Sequence, residues 1–304
     1  MLQIAYHPIY KYSLPEGHRF PMAKYNLLPG YLLKEGICTQ ENFFEPEKIP
    51  AKIITQVHTR DYYNRLLDLK LDKKEIRKIG FPLRADLVDR GHYIIGGTIK
   101  GCHFAIENGV SLNIAGGTHH AYADRGEAFC LLNDQAVAAQ YLLDTKKASK
   151  ILIIDLDVHQ GNGTAKIFEH NPYVFTFSMH GAKNYPFKKE KSDLDIGLDD
   201  GTGDEEYLEI LKNTLPKLIE KVQPDFIFYL SGVDIIKGDK LGRLACTLKG
   251  CKHRDRFVFE TAKNHDIPVQ VSMGGGYAPA IDSIIEAHAN TYKMAQEVYF
   301  SWQK

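Results

Sequence analysis

A chain of 304 residues can bury a large core, and α/β sheets of this size often form one domain. Its 38 basic and 38 acidic residues cancel, and no dense Lys/Arg block breaks that balance. The charge pattern therefore argues against nucleic acid or a membrane surface as partner, and for a small molecule or peptide.

Five cysteines (Cys38, Cys102, Cys130, Cys246 and Cys251) contain no CxxC pair, and Cys246, Cys251 and His253 lack the second pair of ligands that a tetrahedral metal site needs. No apolar run reaches bilayer-spanning length. The opening MLQIAYHPIYKYSLPEGH has neither the basic start nor the continuous apolar core of a signal peptide. These features predict a cytoplasmic protein in a reducing compartment.

In chain order, IITQV (53–57) reads as a strand, and residues 84–107 carry apolar side chains at helical spacing. VSLNIAGG (110–117) is a strand, 133–144 a helix, ILIIDLDV (151–158) and VFTFSM (174–179) strands. The stretch 181–203 is irregular and long enough to suggest a functional loop. Then follow helix 204–222, strand DFIFYLSG (225–232), helix 252–264, strand PVQVSMGGG (268–276) and helix 278–300. Strands buried on both faces and alternating with helices predict an α/β fold, a parallel sheet sandwiched by helices. No linker or repeat divides it, so residues 1–304 are expected to form a single catalytic domain.

Polar residues gather where these strands end: GGTHH after the second, the Asp-rich run after the third, SMHG, SGVD and GGGY after the rest. In an open α/β sheet that edge is where ligands bind. If the chain stays extended over 155–159, Asp155, Asp157 and His159 share one face. Carboxylates buried that close repel unless a cation lies between them, which makes the strand end a candidate metal site with Asp234 as a further oxygen donor. Helix capping accounts for Asn162 and one Asp, but not for the whole row. Mixed oxygen and nitrogen donors suit zinc or ferrous iron. His119 and His120 are candidates for general-base chemistry. Tyr277 is either a core aromatic or a donor that polarises a carbonyl oxygen.

These segments together resemble the zinc-dependent histone deacetylases of the arginase and deacetylase superfamily. GGTHHAYADRGEAFCLLND, IDLDVHQGNG, SGVD and GGGY match the family's motifs in order across residues 114–277. The branch most similar is class IV, because QGNG replaces the acidic HGDG and VDIIKGDKLGRL follows the third aspartate motif. The resemblance implies Asp157, His159 and Asp234 as metal ligands, His119 and His120 as the catalytic pair, and Tyr277 as the carbonyl-polarising group. It places Asp155 behind His119 and Asn162, where many members have a carboxylate, behind His120. It also implies a structural potassium site at Asp155, Asp157, His159, Ser178 and Met179. Phe129, Tyr185, Gly275 and Gly276 would contact substrate, although core packing accounts for Tyr185 more readily than for Phe129. RGHYIIGG (90–97) lacks the acid with which many members grip the substrate backbone, and PEGHRFPM (15–22) is a candidate rim loop.

The expected activity is metal-dependent hydrolysis of an N-acylated amine, acyl-lysine in a protein or peptide above all. A deacylase of a small acylated amine such as an acyl-polyamine is the alternative, and a non-catalytic acyl-lysine binder is a third reading that the intact motifs oppose. A binuclear manganese hydrolase would need further carboxylate ligands that the sequence lacks. Acyl-chain length and oligomeric state have no signature in the sequence.

Overall fold

The computed structural model describes residues 1–300. Among them, eight strands form one parallel sheet: β1 (Gln3–Ala5), β2 (Phe43–Phe44), β3 (Val110–Asn113), β4 (Ile151–Asp155), β5 (Val174–Gly181), β6 (Leu194–Leu198), β7 (Phe226–Leu230) and β8 (Val269–Ser272). Their order is β2-β1-β3-β8-β7-β4-β5-β6. The flanking α-helices are α1 (Lys24–Lys34), α2 (Ala51–Ile54), α3 (Arg60–Leu67), α4 (Lys73–Ile79), α5 (Ala85–Asn108), α6 (Asp134–Asp144), α7 (Asn162–Phe168), α8 (Asp204–Val222), α9 (Leu248–Asn264) and α10 (Ile281–Tyr299).

Every residue of β3, β4, β7 and β8 is buried; β4 (ILIID) and β7 (FIFYL) read as nearly continuous apolar runs, whereas β3 (VSLN) and β8 (VQVS) alternate apolar residues with buried polar ones. Helix α5 packs along β1, β3 and β8, while α10 lies against α9 and α1. Side-chain caps fix several helix starts: Thr59 accepts from the Tyr62 amide, Asn133 from Ala136 and Thr247 from Gly250. Each such cap contributes about 1 kcal/mol.

Three expectations need correction. IITQV (53–57) is not a strand: Pro50 precedes a single helical turn, α2, and the chain then turns. Four or five apolar residues carry too little periodicity to separate the two states. The irregular stretch 181–203 contains β6, whose residues alternate in burial at the sheet edge, and DIG in its centre masks the strand pattern. Helix α9 starts four residues before the expected 252, because Thr247 caps a first turn that Gly250 makes look like loop.

The strand order positions the site. From β4 the chain steps outward through β5 and β6, then returns and inserts β7 and β8 between β4 and β3. The loops after β3, β4, β7 and β8 thus meet at the centre of one sheet edge, although residues 119 and 277 are far apart in sequence.

Candidate active site

Strand β4 ends at Asp155, and the chain then bends instead of remaining extended. The Asp157 amide donates to Asp155 Oδ1 at 3.1 Å and the His159 amide to Asp157 Oδ1 at 3.0 Å. The expectation that Asp155, Asp157 and His159 share one extended face is therefore wrong in its geometry. These successive side-chain bonds to the chain's own amides curl the backbone. Asp155 turns toward His119, while Asp157 and His159 join Asp234.

Asp157, His159 and Asp234 are buried, and each offers a ligand atom within 4.8 Å of the other two. His159 Nδ1 lies 3.0 Å from Asp157 Oδ1 and 3.3 Å from Asp234 Oδ2. Asp157 Oδ2 accepts from the Gly275 amide at 2.7 Å and Asp234 Oδ1 from the Val158 amide at 3.0 Å. Asp234 Oδ2 is buried without a hydrogen-bond partner. An orphaned carboxylate oxygen facing a second carboxylate and an imidazole fits a divalent cation. Burial alone would lower the His159 pKa, but the hydrogen bond to Asp157 and the nearby Asp234 carboxylate raise it to about 10. Burial and the neighbouring Asp157 charge push Asp234 up to about 7. A cation entering this cluster therefore competes with a proton.

Gly275 makes the close approach possible, since a Cβ there would lie 2.0 Å from Asp234 Oδ2. Gly117, at φ +68° in the loop after β3, would place a Cβ 2.9 Å from the Gly274 amide nitrogen. Neither position has room for a side chain. Gly276 packs toward Val233 and His288.

The two neighbouring histidines have different partners. His119 Nδ1 meets Asp155 Oδ2 at 2.6 Å, and His120 Nδ1 meets Asn162 Oδ1, also at 2.6 Å. The Asn162 amide donates to the Tyr122 hydroxyl at 2.9 Å, and that hydroxyl donates to Glu190 at 3.2 Å. This relay fixes the amide so that its oxygen faces His120, which places the proton on Nδ1 and leaves Nε2 with its lone pair. Asn162 does not cap α7; Gly161 is the cap residue and makes no side-chain bond. Burial, then the neighbouring His119 and His159 charges, hold the His120 pKa well below the ordinary imidazole range. Burial opposes protonation of His119 as well, but the Asp155 charge outweighs it and raises that pKa.

A cavity of about 540 Å³ opens above these groups. Its inner end is His120, His159 and Tyr277, and its walls include Phe129 and Tyr185. Tyr185 is not a core residue, contrary to the packing role that suited it from sequence. Its ring stands edge-on to His120 at 5.1 Å, and its hydroxyl donates to Glu127. Phe129 adopts a left-handed φ of 68°, held by its amide's bond to the Ile79 carbonyl. The Tyr277 amide donates to Asp239 Oδ2 at 2.6 Å, and its ring lies 6.4 Å from that of His159. Burial and the Asp234 and Asp157 charges push the Tyr277 pKa well up, so its hydroxyl stays a donor. Ser178 and Met179 are buried on β5, with Ser178 in register with Asp155. The segment 90–97 lies within α5, and at 15–22 His18 bonds the Gly80 carbonyl while Arg19 reaches the cavity.

Two positioning residues were not singled out from the sequence. Asp134 accepts from the Thr118 amide and hydroxyl, Thr98 and Ser272, tying the His-pair loop to α5 and β8. Arg254 is fully buried and donates to the carbonyls of Leu156 and Gly232, one beside each aspartate loop. Asp134 stands inside the FCLLND segment and could have been singled out there; Arg254 sits in an unremarkable polar helix pattern.

Comparison with known proteins agrees with this arrangement. The model of the Histone deacetylase domain matches residues 18–292. An uncharacterized protein of a Picosynechococcus strain is 44% identical over 296 residues, 97% of this chain and 99% of that one. Histone deacetylase 2 of Arabidopsis thaliana is 29% identical over 277 residues, covering 88% of this chain and 72% of its own. Histone deacetylase 1 of Homo sapiens is 28% identical, and this chain spans 58% of its length. Among solved structures the HDA15 HD domain superimposes with a TM-score of 0.81 at 20% identity, over 97% of this chain and 88% of that one.

Proposed function

The chain belongs to the histone deacetylase family, and on that premise we propose that it is a metal-dependent deacylase of N-acylated lysine in a peptide or protein. The observation that supports this most is the meeting of the Asp157, His159 and Asp234 cluster with His120 and Tyr277 at the inner end of one cavity. Asp157, His159 and Asp234 would hold zinc or ferrous iron, which supplies Lewis acidity to polarise the acyl carbonyl and lower the pKa of water. Asp155, Ser178 and Met179 belong to a second proposed role, a structural potassium site beside the first. QGNG and VDIIKGDKLGRL favour the class IV branch, and residues 1–304 are read as one catalytic domain.

In this reading Phe129 and Tyr185 enclose the lysine stem and exclude water from it. Neutral His120 takes a proton at Nε2 from the attacking water. Tyr277 donates to the carbonyl oxygen as negative charge develops there. Asp155 keeps His119 charged, so the pair holds one base and one imidazolium side by side. The C–N bond then breaks, the acyl carbon keeps the water's OH, and the amine leaves with a proton returned from the histidine pair.

The test is a turnover screen over acetyl-lysine, long-chain acyl-lysine and acyl-polyamine substrates, after chelation and reloading with zinc or ferrous iron. Hydrolysis of an acyl-lysine peptide that is lost on chelation and restored by metal is expected. Metal-loaded protein that turns over none of the lysine substrates would overturn the proposal.

A further inference from the structure

The outer end of the cavity is electrically unlike the rest of the molecule. Arg19, Lys78, Lys183, Lys240 and Arg243 all line it and are all exposed, whereas the inner His120 and His159 are buried. The chain as a whole is neutral, so five cations around one opening are a local excess. Their counter-charges are few. Glu127, the acidic residue on the wall, receives the Tyr185 hydroxyl and faces Arg125 at 3.7 Å. Asp200 is shared, 3.3 Å from Arg243 and 3.7 Å from Lys183. Asp239, beneath Lys240, is occupied by the amides of Leu241, Gly242 and Tyr277. Arg19, Lys78 and Lys240 have no carboxylate within ion-pair distance among the described residues, and the Arg19 guanidinium lies over the Phe129 ring at 5.0 Å from its centroid.

A substrate enters acyl end first, since the reacting groups are innermost. Whatever is attached to the amine then lies among these cations. We propose that the mouth selects an acidic segment: the acyl-lysine substrate carries carboxylates within a few residues of the modified lysine. This specificity rests on the deacylase reading above. The same cations repel a polyamine, whose remaining amines would sit at the mouth, and disfavour a lysine-rich segment. Unpaired exposed cations attract mainly by steering and by weak rim contacts, so the preference should be sensitive to salt.

The experiment compares fluorescently labelled acyl-lysine peptides with flanking Glu, Gln or Lys residues, together with an acetylated polyamine. Affinity is read by anisotropy on the chelated protein, residues 1–304, and kcat/KM on the same protein loaded with zinc. The acid-flanked peptide should bind about tenfold tighter than the base-flanked one at about 0.05 M salt, shrinking to under about threefold at about 0.5 M. The double variant Lys78→Glu, Lys240→Glu should reverse the order; should it fail to fold, the peptide and salt series on the natural protein decides. Equal affinities, or a preference for the basic peptide or the polyamine, would overturn the proposal. Acid-selective binding without hydrolysis of any peptide would leave the mouth's role standing and remove the deacylase reading instead.

Discussion

His119 and His120 are adjacent, equally buried, and bonded through Nδ1 to a side-chain oxygen at the same 2.6 Å. Their pKa values nevertheless move in opposite directions, because one oxygen belongs to a carboxylate and the other to an amide. The charge of the partner, more than depth or bond length, decides which ring holds a proton. A pair of titratable groups forced apart in this way is what an acid and a base working together at one pH require.

Several changes would break or sharpen this contrast. Removing the base itself should cost most: His120→Ala is expected to lower kcat/KM about a thousandfold, with substrate binding by anisotropy retained. A variant within a factor of two of the natural protein would mean that His120 is not the base. Asp155→Asn makes the two partners alike in charge. The imidazolium of His119 loses its main support, so activity should fall by roughly tenfold to a hundredfold, and the basic limb of the kcat profile should move to lower pH. An unmoved basic limb would show that His119 need not be charged.

The opposite substitution, Asn162→Asp, gives both rings a carboxylate. The base must be neutral, so raising the His120 pKa moves the acidic limb of kcat/KM to higher pH, by about one unit if the charge stays within hydrogen-bond reach. An active variant with an unmoved acidic limb would remove Asn162 from the machinery. The smallest change is Tyr122→Phe, which frees the Asn162 amide to turn over. The loss of one hydrogen bond predicts about a fivefold fall in kcat. Nitrogen NMR of the His120 ring would then show a mixture of tautomers, and a single unchanged tautomer would argue that another contact holds the amide.

The contrast was only half legible in the sequence. GGTHH, DLDVH and SGVD announced themselves because polar residues rarely follow buried apolar strands without a reason. Which aspartate served which partner was not legible. Alternation along a strand put Asp155 with Asp157 and His159, and the backbone bonds that end β4 at Asp155 separated them. Pairing His119 with Asp155 and His120 with Asn162 came from family resemblance, and periodicity alone could not have reached it. Long elements such as α5 and α8 were readable, whereas β1, β2 and α2 are too short for any period to show. Arg254 holds two loops through tertiary bonds, for which local sequence carries no pattern, whereas Asp134 lies within the FCLLND segment and only its partners were hidden.

The late insertion of β7 and β8 has a consequence for how the molecule is made. During synthesis from the N-terminus, the His pair and the Asp157–His159 loop emerge long before Asp234 and Tyr277. Until β7 and β8 arrive, β3 and β4 each lack one neighbour, leaving two strands that are buried in the finished fold with unpaired backbone edges. Closing that gap requires pairing β3 with β8, whose partners Val110 and Val269 are 159 positions apart, and β4 with β7, whose partners Ile151 and Phe226 are 75 apart, and such non-local contacts slow folding. A ribosome stalled before residue 225 would therefore display a sheet split down its centre, open to pairing with its own kind. The strands that complete the chemistry are the same ones that make the nascent chain safe.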